Sequence, residues 1–258
     1  MSPKNSDKNK TGKIICVFVH GWAMNGAVWE SCFEFLPDWM DVIQVDLPGH
    51  GTMADINAED INGYVQALAA LVNRPAIWVG WSLGGLAVLQ LAKDYPEQVA
   101  GLFMVATNPC FVQKENWSCA VDKQVFDQFA DVLKKDTDAT IKRFLALQVK
   151  GSGLTMSTVR ELQQSIQQRG RASLDALKLG LDILATTDLR NELPYLNCPM
   201  NWLLGGRDTL VPVELSDALK TLQPNINTIV EPEAAHAPFI SHTEKFTHAL
   251  IDFAESLR

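Results

Sequence analysis

Short apolar runs alternate along the chain with longer stretches that have helical spacing. We predict strands over residues 13–20, 41–46, 76–81, 101–107, 200–206 and 227–232. Their near-continuous apolar character is typical of strands that are buried on both faces, as in a parallel sheet covered by helices. The helical stretches between them are 57–73, 83–95, 212–222 and 243–257. This alternation predicts an α/β fold with a mostly parallel, doubly wound sheet.

The alternation stops between residues 110 and 190. Four helical patterns follow one another there without a strand, over 121–135, 137–149, 155–169 and 172–184. A helical interval between two strands of one sheet has to lie above or beside that sheet, and we interpret it as a lid. The predicted organisation is a core of residues 13–109 and 191–258 with the lid 110–190 inserted. Residues 1–12 are polar, and we expect a disordered tail there.

Composition and charge narrow the possible classes of protein. With 258 residues and 47% apolar residues, the chain can fill a sizeable core. The net charge of −8 argues against nucleic acid as the main partner, because phosphate binding needs a basic face. Nothing approaches the roughly 18 apolar residues of a membrane span, and no signal peptide is visible. The cysteines are odd in number and widely spaced, which predicts reduced thiols and a cytosolic protein rather than a disulfide framework.

Ser82 lies between Gly80 and Gly84, where the predicted strand 76–81 meets the predicted helix 83–95. The Gly-x-Ser-x-Gly pattern alone is a weak signal, since a chain of this length has roughly a one-in-ten chance of a random match. A strand before the serine and a helix after it are the setting that a nucleophile elbow requires. We therefore predict that Ser82 is a nucleophile. The alternative is a serine that only caps the helix.

A serine nucleophile needs a base, and His236 is the best-placed histidine. It lies in "EPEAAHAPF", just past the final predicted strand, where an α/β hydrolase keeps its base. We expect His20 to shape its loop, whereas His50 lies in a glycine-rich turn and the two later histidines belong to the last helical region. Glu233 and His236 form an ExxH motif, but a single copy in a loop is a poor metal site. We therefore expect no metal and no cofactor.

Asp208 is the candidate for the acid that orients the base. It follows the predicted strand 200–206 and precedes a helix that starts at a proline. Asp182 and Asp188 fall in the helical interval, where we expect surface charges. Ser82, Asp208 and His236 each follow a separate predicted strand, at the edge where open α/β sheets bind ligands. The three positions together predict a Ser-His-Asp triad.

An oxyanion hole needs two backbone donors. The Leu83 N–H directly follows the nucleophile, and the "VHGWAMNG" loop offers the Trp22 N–H. Each donor contributes about 3 kcal/mol in the transition state. The Trp22 ring is expected to form an apolar wall of the site, with plain packing as the alternative.

The motifs described so far resemble those of the α/β-hydrolase superfamily, from about residue 13 to 257. "RFLALQ" in the lid and "AAHAPFISH" around the base are more particular, together with "HGWAMNGAVW", "VDLPGHG" and "GWSLGGL". They resemble the pimeloyl-[acyl-carrier protein] methyl ester esterases of biotin synthesis. The resemblance implies a carboxylesterase that releases methanol from the carrier-bound methyl ester. We expect a monomer whose partner is the acyl carrier protein.

The same resemblance assigns roles to residues. It implies that Ser82 is the nucleophile, Asp208 the orienting acid and His236 the general base. The residues implied to contact substrate are Trp22, Ser82, Leu83, Phe144, Leu145, Ala146, Leu147, Gln148 and His236. Those implied or expected to dock the acidic carrier are Lys142, Arg143, Lys150 and Arg160.

The distribution of charge gives a separate reason to expect a docking face on the lid. Residues 110–190 carry a net charge of +2, so the rest of the chain carries −10. Residues 142–171 hold six Lys/Arg, including Arg169 and Arg171, against Glu161 alone. A basic segment on an acidic protein can steer an acidic partner towards the site. The alternative is a chance cluster on a charged helix surface.

Two other functions stay open at this point. The same triad serves general short-chain carboxylesterases and carbon–carbon bond hydrolases. Some α/β-hydrolase folds act instead as ligand receptors with weak or no turnover. A preference for the carrier-bound ester would distinguish the predicted methyl ester esterase from a general carboxylesterase or a carbon–carbon bond hydrolase. Acylation of Ser82 would argue against a receptor.

Overall fold

A computed structural model describes residues 12–149 and 156–258 of the chain. These residues contain one six-stranded parallel sheet with the order β2-β1-β3-β4-β5-β6. The strands are β1 (Ile14–Val19), β2 (Met40–Val45), β3 (Ala76–Trp81), β4 (Val99–Val105), β5 (Met200–Gly205) and β6 (Asn227–Glu231). Each overlaps one predicted strand, and the predicted α/β class is confirmed.

The strand order reverses direction between β1 and β3. β1 pairs with β2 on one side and with β3 on the other, with Val19 opposite Gly80 near the carboxyl ends. In open α/β sheets this switch point opens a crevice at the carboxyl edge, where ligands bind. The loop after β1 and the turn after β3 therefore meet at the position where a site is expected.

The core lies on both faces of the sheet. All six residues of β3 are buried, as the continuous apolar run predicts for a central strand. On one side Trp29 packs against Phe239 and Phe246, with ring centroids 4.1 and 5.9 Å away. Burying each such ring stabilises the fold by about 1.5–3 kcal/mol, so these aromatic residues make a large contribution to the core.

Helices cover both faces of the sheet and form the insertion. They are α1 (Glu30–Phe33), α2 (Ile61–Leu71), α3 (Leu83–Asp94), α4 (Lys123–Lys135), α5 (Thr137–Val149), α6 (Met156–Arg169), α7 (Leu174–Thr186), α8 (Leu215–Leu222), α9 (Pro238–Ser241) and α10 (Thr243–Ser256). The side chains of Asp60 and Ser173 accept backbone N–H groups at the starts of α2 and α7. These caps explain why both helices begin later than periodicity alone predicts.

Helices α4 to α7 lie between β4 and β5, and we call residues 110–190 the helical insertion. Helix α7 packs against α3, and the end of α6 packs against the turn after Asn25. The insertion therefore lies over the carboxyl edge of the sheet. That it opens and closes as a lid stays a prediction.

Three further expectations concern the whole chain. Residues 1–11, most of the expected tail, lie outside the described residues. Among the helices that the structure describes, none has the length and apolar character needed to cross a membrane. All five cysteines are free thiols.

Candidate active site

Ser82 occupies a sharp turn between β3 and α3. Its backbone has φ 53° and ψ −118°, a conformation that costs a non-glycine residue on the order of 1–3 kcal/mol. Hydrogen bonds hold the turn: Ser82 N–H donates to the Val105 carbonyl at 3.0 Å, and the Ser82 carbonyl accepts from Thr107 Oγ1 at 2.7 Å. A strained serine that its neighbours hold in place is the geometry of a nucleophile elbow.

The two glycines of the motif are required by packing. A Cβ at Gly80 would lie 2.6 Å from Val88 Cγ2, so α3 could not cross β3 as closely as it does. A Cβ at Gly84 would lie 2.4 Å from the His20 carbonyl oxygen. The first turn of α3 therefore lies directly against the chain that leaves β1. These two close contacts explain why glycines flank Ser82 on both sides.

Asp208 and His236 form a buried pair in the loops after β5 and β6. His236 Nδ1 lies 2.7 Å from Asp208 Oδ2, and neither side chain is more than 1% exposed. Asp208 Oδ1 accepts the N–H groups of Leu210 at 2.8 Å and Val211 at 3.1 Å, which fixes the carboxylate. A carboxylate at Nδ1 holds the tautomer whose proton is on Nδ1, and Nε2 is then free to accept a proton.

His236 Nε2 is available for that proton. It is buried and has no hydrogen-bond partner among the described residues. Trp81 Nε1 donates to the His236 carbonyl at 2.8 Å, so the residue before Ser82 holds the loop that carries the histidine. The structure thus brings the three predicted triad residues to one edge of the sheet, and the arrangement can support nucleophilic catalysis.

The two expected oxyanion donors are next to the elbow. Leu83 is the first residue of α3, so its N–H has no acceptor within the helix. The Trp22 N–H has no acceptor among the residues that the structure describes. A Cβ at Gly21 would lie 3.3 Å from Ser82 Cβ, which shows how closely this loop approaches the nucleophile. Two free N–H groups in these positions fit an oxyanion hole.

Aromatic side chains of the insertion cover the site. The Trp22 ring meets Phe144 and Phe129 edge to face, with centroids 4.9 and 5.4 Å away, and its Nε1 donates to the Leu177 carbonyl. A Cβ at Gly180 would lie 2.7 Å from Trp22 Cδ1, so α7 fits directly over the ring. Phe129 is not among the residues predicted from the sequence. Its signal is the apolar spacing of Phe126, Phe129 and Leu133 on α4.

The predicted substrate-contacting stretch lies on α5, and its side chains do not all lie on the same face of that helix. Phe144 and Leu145 are buried, whereas Ala146 is exposed. Leu145 lines a cavity of about 130 Å³ between α5, α6 and Ala23. The side chains of Leu147 and Gln148 lie outside the described part of the chain. Contact of this stretch with substrate therefore stays a prediction.

The basic residues of the insertion divide into two groups. Lys142, Arg143 and Arg160 are exposed, as a docking face would require, while Lys150 lies outside the described residues. Arg169 corrects the expectation of one solvent-facing cluster, because it is only 21% exposed and pairs with the buried Asp46. It belongs to the interior contacts of the insertion.

Other candidate residues have different surroundings. His20 and His50 are buried 5.0 Å apart between ring centroids, and burial lowers the pKa of both, that of His20 to about 3. His20 Nε2 accepts the Leu47 N–H at 3.0 Å, consistent with the predicted loop-shaping role.

Two further carboxylates singled out in the sequence form ion pairs. Glu233 pairs with Arg207. Asp188 is not a simple surface charge, because it is partly buried and bound by Arg190.

The fold and this site define the class of protein as an α/β hydrolase. A family model for the alpha/beta hydrolase fold matches residues 16–243. Among solved structures, an esterase from Exiguobacterium antarcticum covers 95% of the chain with a TM-score of 0.85, at 20% identity and over 92% of its own length. A bromoperoxidase from Bacillus anthracis gives a TM-score of 0.84 at 21% identity, with 95% and 92% coverage. At these identities the likeness shows the fold alone.

Curated relatives narrow the class further. A pimeloyl-[acyl-carrier protein] methyl ester esterase from Xanthomonas oryzae pv. oryzae is 40% identical over 93% of the chain and 95% of its own length. Proteins of the same name from Vibrio vulnificus and Vibrio cholerae are 38% and 40% identical over 92% of the chain and 93% of their own lengths. The chain belongs to the pimeloyl-[acyl-carrier protein] methyl ester esterase family of α/β hydrolases.

Proposed function

We propose that the protein hydrolyses the methyl ester of pimeloyl-[acyl-carrier protein] to pimeloyl-[acyl-carrier protein] and methanol, a step of biotin synthesis. The observation that carries the chemistry is the buried Asp208–His236 pair, 2.7 Å apart, in which His236 Nε2 has no hydrogen-bond partner among the described residues. Trp81, the residue before Ser82, holds the loop that carries this histidine. The substrate is proposed from the names of the relatives.

In the first half of the reaction Ser82 Oγ attacks the carbonyl carbon of the methyl ester while His236 Nε2 takes the hydroxyl proton. Asp208 stabilises the imidazolium that forms, and the Trp22 and Leu83 N–H groups bind the oxyanion. The tetrahedral intermediate collapses, the C–O bond to the methoxy group breaks, and His236 returns its proton to the departing oxygen. Methanol leaves and the pimeloyl group is esterified to Ser82.

In the second half a water molecule attacks the acyl-enzyme. His236 takes a proton from the water, the bond to Ser82 Oγ breaks, and the serine recovers a proton from His236. The products are the starting enzyme and the carboxylic acid end of the pimeloyl chain, which releases its proton to solvent. Ser82, His236 and the backbone N–H groups supply the nucleophile, the general base and the oxyanion donors, so the proposed steps use neither a metal nor an organic cofactor.

Helices α4, α5 and α7 supply the apolar surface for the alkyl chain. Phe129 and Phe144 meet the Trp22 ring above the oxyanion loop, and Leu145 lines the neighbouring cavity. Burying each methylene of the substrate contributes about 0.8 kcal/mol, which favours a long acyl chain over a short one. The carrier protein itself stays outside, where the exposed Lys142, Arg143 and Arg160 attract its acidic surface.

The chain is proposed to act as a monomer in the cytoplasm. All residues of the triad come from one copy of the chain, so one copy suffices for the chemistry. The five free thiols are typical of a reducing compartment. The net charge of −8 is unfavourable for nucleic acid as a partner.

Hydrolysis of three esters tests this function. Methanol release is measured for the carrier-bound pimeloyl methyl ester and for free dimethyl pimelate, and p-nitrophenol release is measured for p-nitrophenyl butyrate. We expect fast turnover of the carrier-bound ester that slows as salt rises, because screening weakens attraction between charged surfaces. Ser82→Ala should lower kcat by about 10⁴-fold or more. Ser118→Ala, at an exposed serine, is the matched control and should leave the rate unchanged.

The three esters separate the competing functions. Turnover of the two small esters alone would keep the triad and refute the carrier-bound substrate, which favours a general carboxylesterase. Binding of the carrier-bound ester without acylation of Ser82 would favour a receptor and refute an esterase.

A further inference from the structure

The carboxyl end of helix α6 is fixed to the core by a buried ion pair. Arg169 Nε donates to both carboxylate oxygens of Asp46, at 3.0 Å each. The Asp46 side chain is fully buried and that of Arg169 is 21% exposed. Asp46 directly follows β2, so the pair joins the insertion to the carboxyl edge of the sheet, beside the proposed active site.

Asp46 also holds the loop that leaves β1. Its Oδ1 accepts the Gly26 N–H at 2.6 Å, and its Oδ2 accepts Thr52 N–H and Oγ1–H at 2.8 and 2.6 Å. One carboxylate therefore binds three segments of the chain, including the end of α6. Removing Arg169 would leave a buried negative charge with only neutral donors around it, which is unfavourable.

Asn25 makes a second connection between the same loop and α6. Its Nδ2 donates to the carbonyls of Ile166 and Gly170 at 2.8 Å each, which satisfies carbonyls at the helix end. Its Oδ1 accepts the Ala27 N–H at 3.1 Å. Asn25 is fully buried, so these bonds form without competition from solvent.

The loop between these anchors carries the proposed oxyanion donor. His20 is held at one end by the Leu47 N–H, and Asn25 and Gly26 are held at the other end. Between them the chain reverses through Ala23, at φ 61°, and the Met24 N–H donates to the Gly21 carbonyl at 3.3 Å. Trp22 is in the middle of this short closed segment, so the anchors determine where its N–H points.

We propose that Arg169 and Asp46 are positioning residues that fix the Trp22 N–H in the oxyanion hole. This inference rests on the proposed esterase function. Arg169 acts through Asp46, Gly26 and the loop, and it does not touch the reacting atoms. Arg169 belongs in sequence to the basic segment 142–171, but its guanidinium binds Asp46 instead of facing a carrier.

The proposal predicts a particular dependence on pH. The titratable groups near Asp46 are Arg169, His20 and His50. Burial raises the pKa of Asp46, but hydrogen bonds from Thr52, Gly26 and Arg169 outweigh it and hold the pKa below its ordinary value. Both histidines have lowered pKa values and are neutral near pH 7. Without Arg169 the pKa of Asp46 rises, so this carboxyl group is protonated at a higher pH than in the wild type, which weakens its hold on Gly26.

Arg169→Met is the test variant, and Arg74→Met is the matched control. Arg74 lies before β3, at the edge of the sheet opposite the insertion, is 65% exposed and pairs with Asp41 at the surface. We expect Arg169→Met to lower kcat about tenfold on both p-nitrophenyl butyrate and the carrier-bound ester, with KM within twofold, because a displaced donor affects the transition state more than substrate binding. As the pH is lowered, the rate of Arg169→Met should also begin to fall at a higher pH than the rate of the wild type. Arg169→Lys should recover part of the loss.

Rates are expressed per active site, counted by the burst of p-nitrophenol, so that loss of folded enzyme does not imitate a loss of kcat. Asp46→Asn is the second variant, since an amide oxygen can still accept the Gly26 N–H while the charge pair is lost. In the double variant the two losses should not add, because the residues act through one contact.

An unchanged kcat per active site in Arg169→Met would overturn the proposal, whatever its stability. A rise in KM for the carrier-bound ester alone would also overturn it and assign Arg169 to docking. A wild type that hydrolyses neither ester would refute the esterase function together with this inference. An active wild type with an unaffected variant refutes the inference alone.

Discussion

At the scale of single residues, the two oxygens of Asp208 have separate tasks. Oδ1 accepts the backbone N–H groups of Leu210 and Val211, and Oδ2 faces His236 Nδ1. The backbone donors thus fix the orientation of the carboxylate, and the fixed carboxylate in turn orients the imidazole. A carboxylate accepts at both oxygens, so it satisfies all three donors at once.

Asp208→Asn should therefore reverse the tautomer of His236. The two backbone N–H groups require an oxygen at the Oδ1 position, which leaves the amide NH₂ facing Nδ1. Nδ1 then becomes an acceptor and Nε2 carries the proton, so the histidine cannot take the proton of Ser82. We expect kcat for p-nitrophenyl butyrate to fall about 10³- to 10⁴-fold with little loss of stability. Asp182→Asn, at an exposed carboxylate, is the control, and a fall of less than tenfold in Asp208→Asn would contradict the mechanism.

The placement of Ser82, Asp208 and His236 at one edge of the sheet could be predicted, because each residue follows an apolar strand and parallel strands bring their carboxyl ends to one edge. The hydrogen bonds and ion pairs that hold the loops of the site could not be predicted in this way. Thr107 holds the Ser82 carbonyl, and Arg169 reaches Asp46 across 123 positions in the chain. Neither partner is related to the other by local spacing, so only the packing of separate elements shows the contact. Hydrophobic periodicity reports which face is buried and not which polar groups meet there.

At the scale of elements, charge and burial assign different tasks to the cations of the insertion. Arg143 on α5 and Arg160 on α6 are exposed, whereas Arg169 at the end of α6 is bound inside. The sequence counts all of them as one basic segment. Exposed charges mainly change the rate of association and its salt dependence, while a buried pair determines local geometry.

Arg143→Glu should therefore weaken recognition of the carrier and leave the chemistry intact. We expect KM for the carrier-bound ester to rise about five- to tenfold at low salt, with kcat/KM for p-nitrophenyl butyrate unchanged. Arg74→Glu makes the same change in charge at the opposite edge of the sheet, where Arg74 is 65% exposed before β3. Equal effects of the two substitutions would show that net charge alone matters and would contradict docking on α5.

At the scale of the whole molecule, the buried histidines link stability to pH. His20 and His50 are fully buried with lowered pKa values, and His50 Nε2 has no partner among the described residues. In the unfolded chain both titrate near pH 6.5. Between pH 6.5 and about 3 the unfolded state therefore binds more protons than the folded state, and stability falls as the pH falls.

His50→Phe should reduce this dependence. Two histidines that stay neutral in the folded state give a slope of at most about 2.7 kcal/mol per pH unit, and one gives about 1.4. Urea unfolding at several pH values between 6.5 and 5 measures the slope of the free energy of unfolding against pH. This range lies above about pH 4, where carboxylates titrate in the unfolded chain. The phenylalanine ring fills the same apolar space beside His20 and cannot take up a proton. His248→Gln, at an exposed histidine, should leave the slope unchanged. An equal slope in wild type and His50→Phe would mean that His50 is protonated in the folded protein, against the burial that the fold imposes on it.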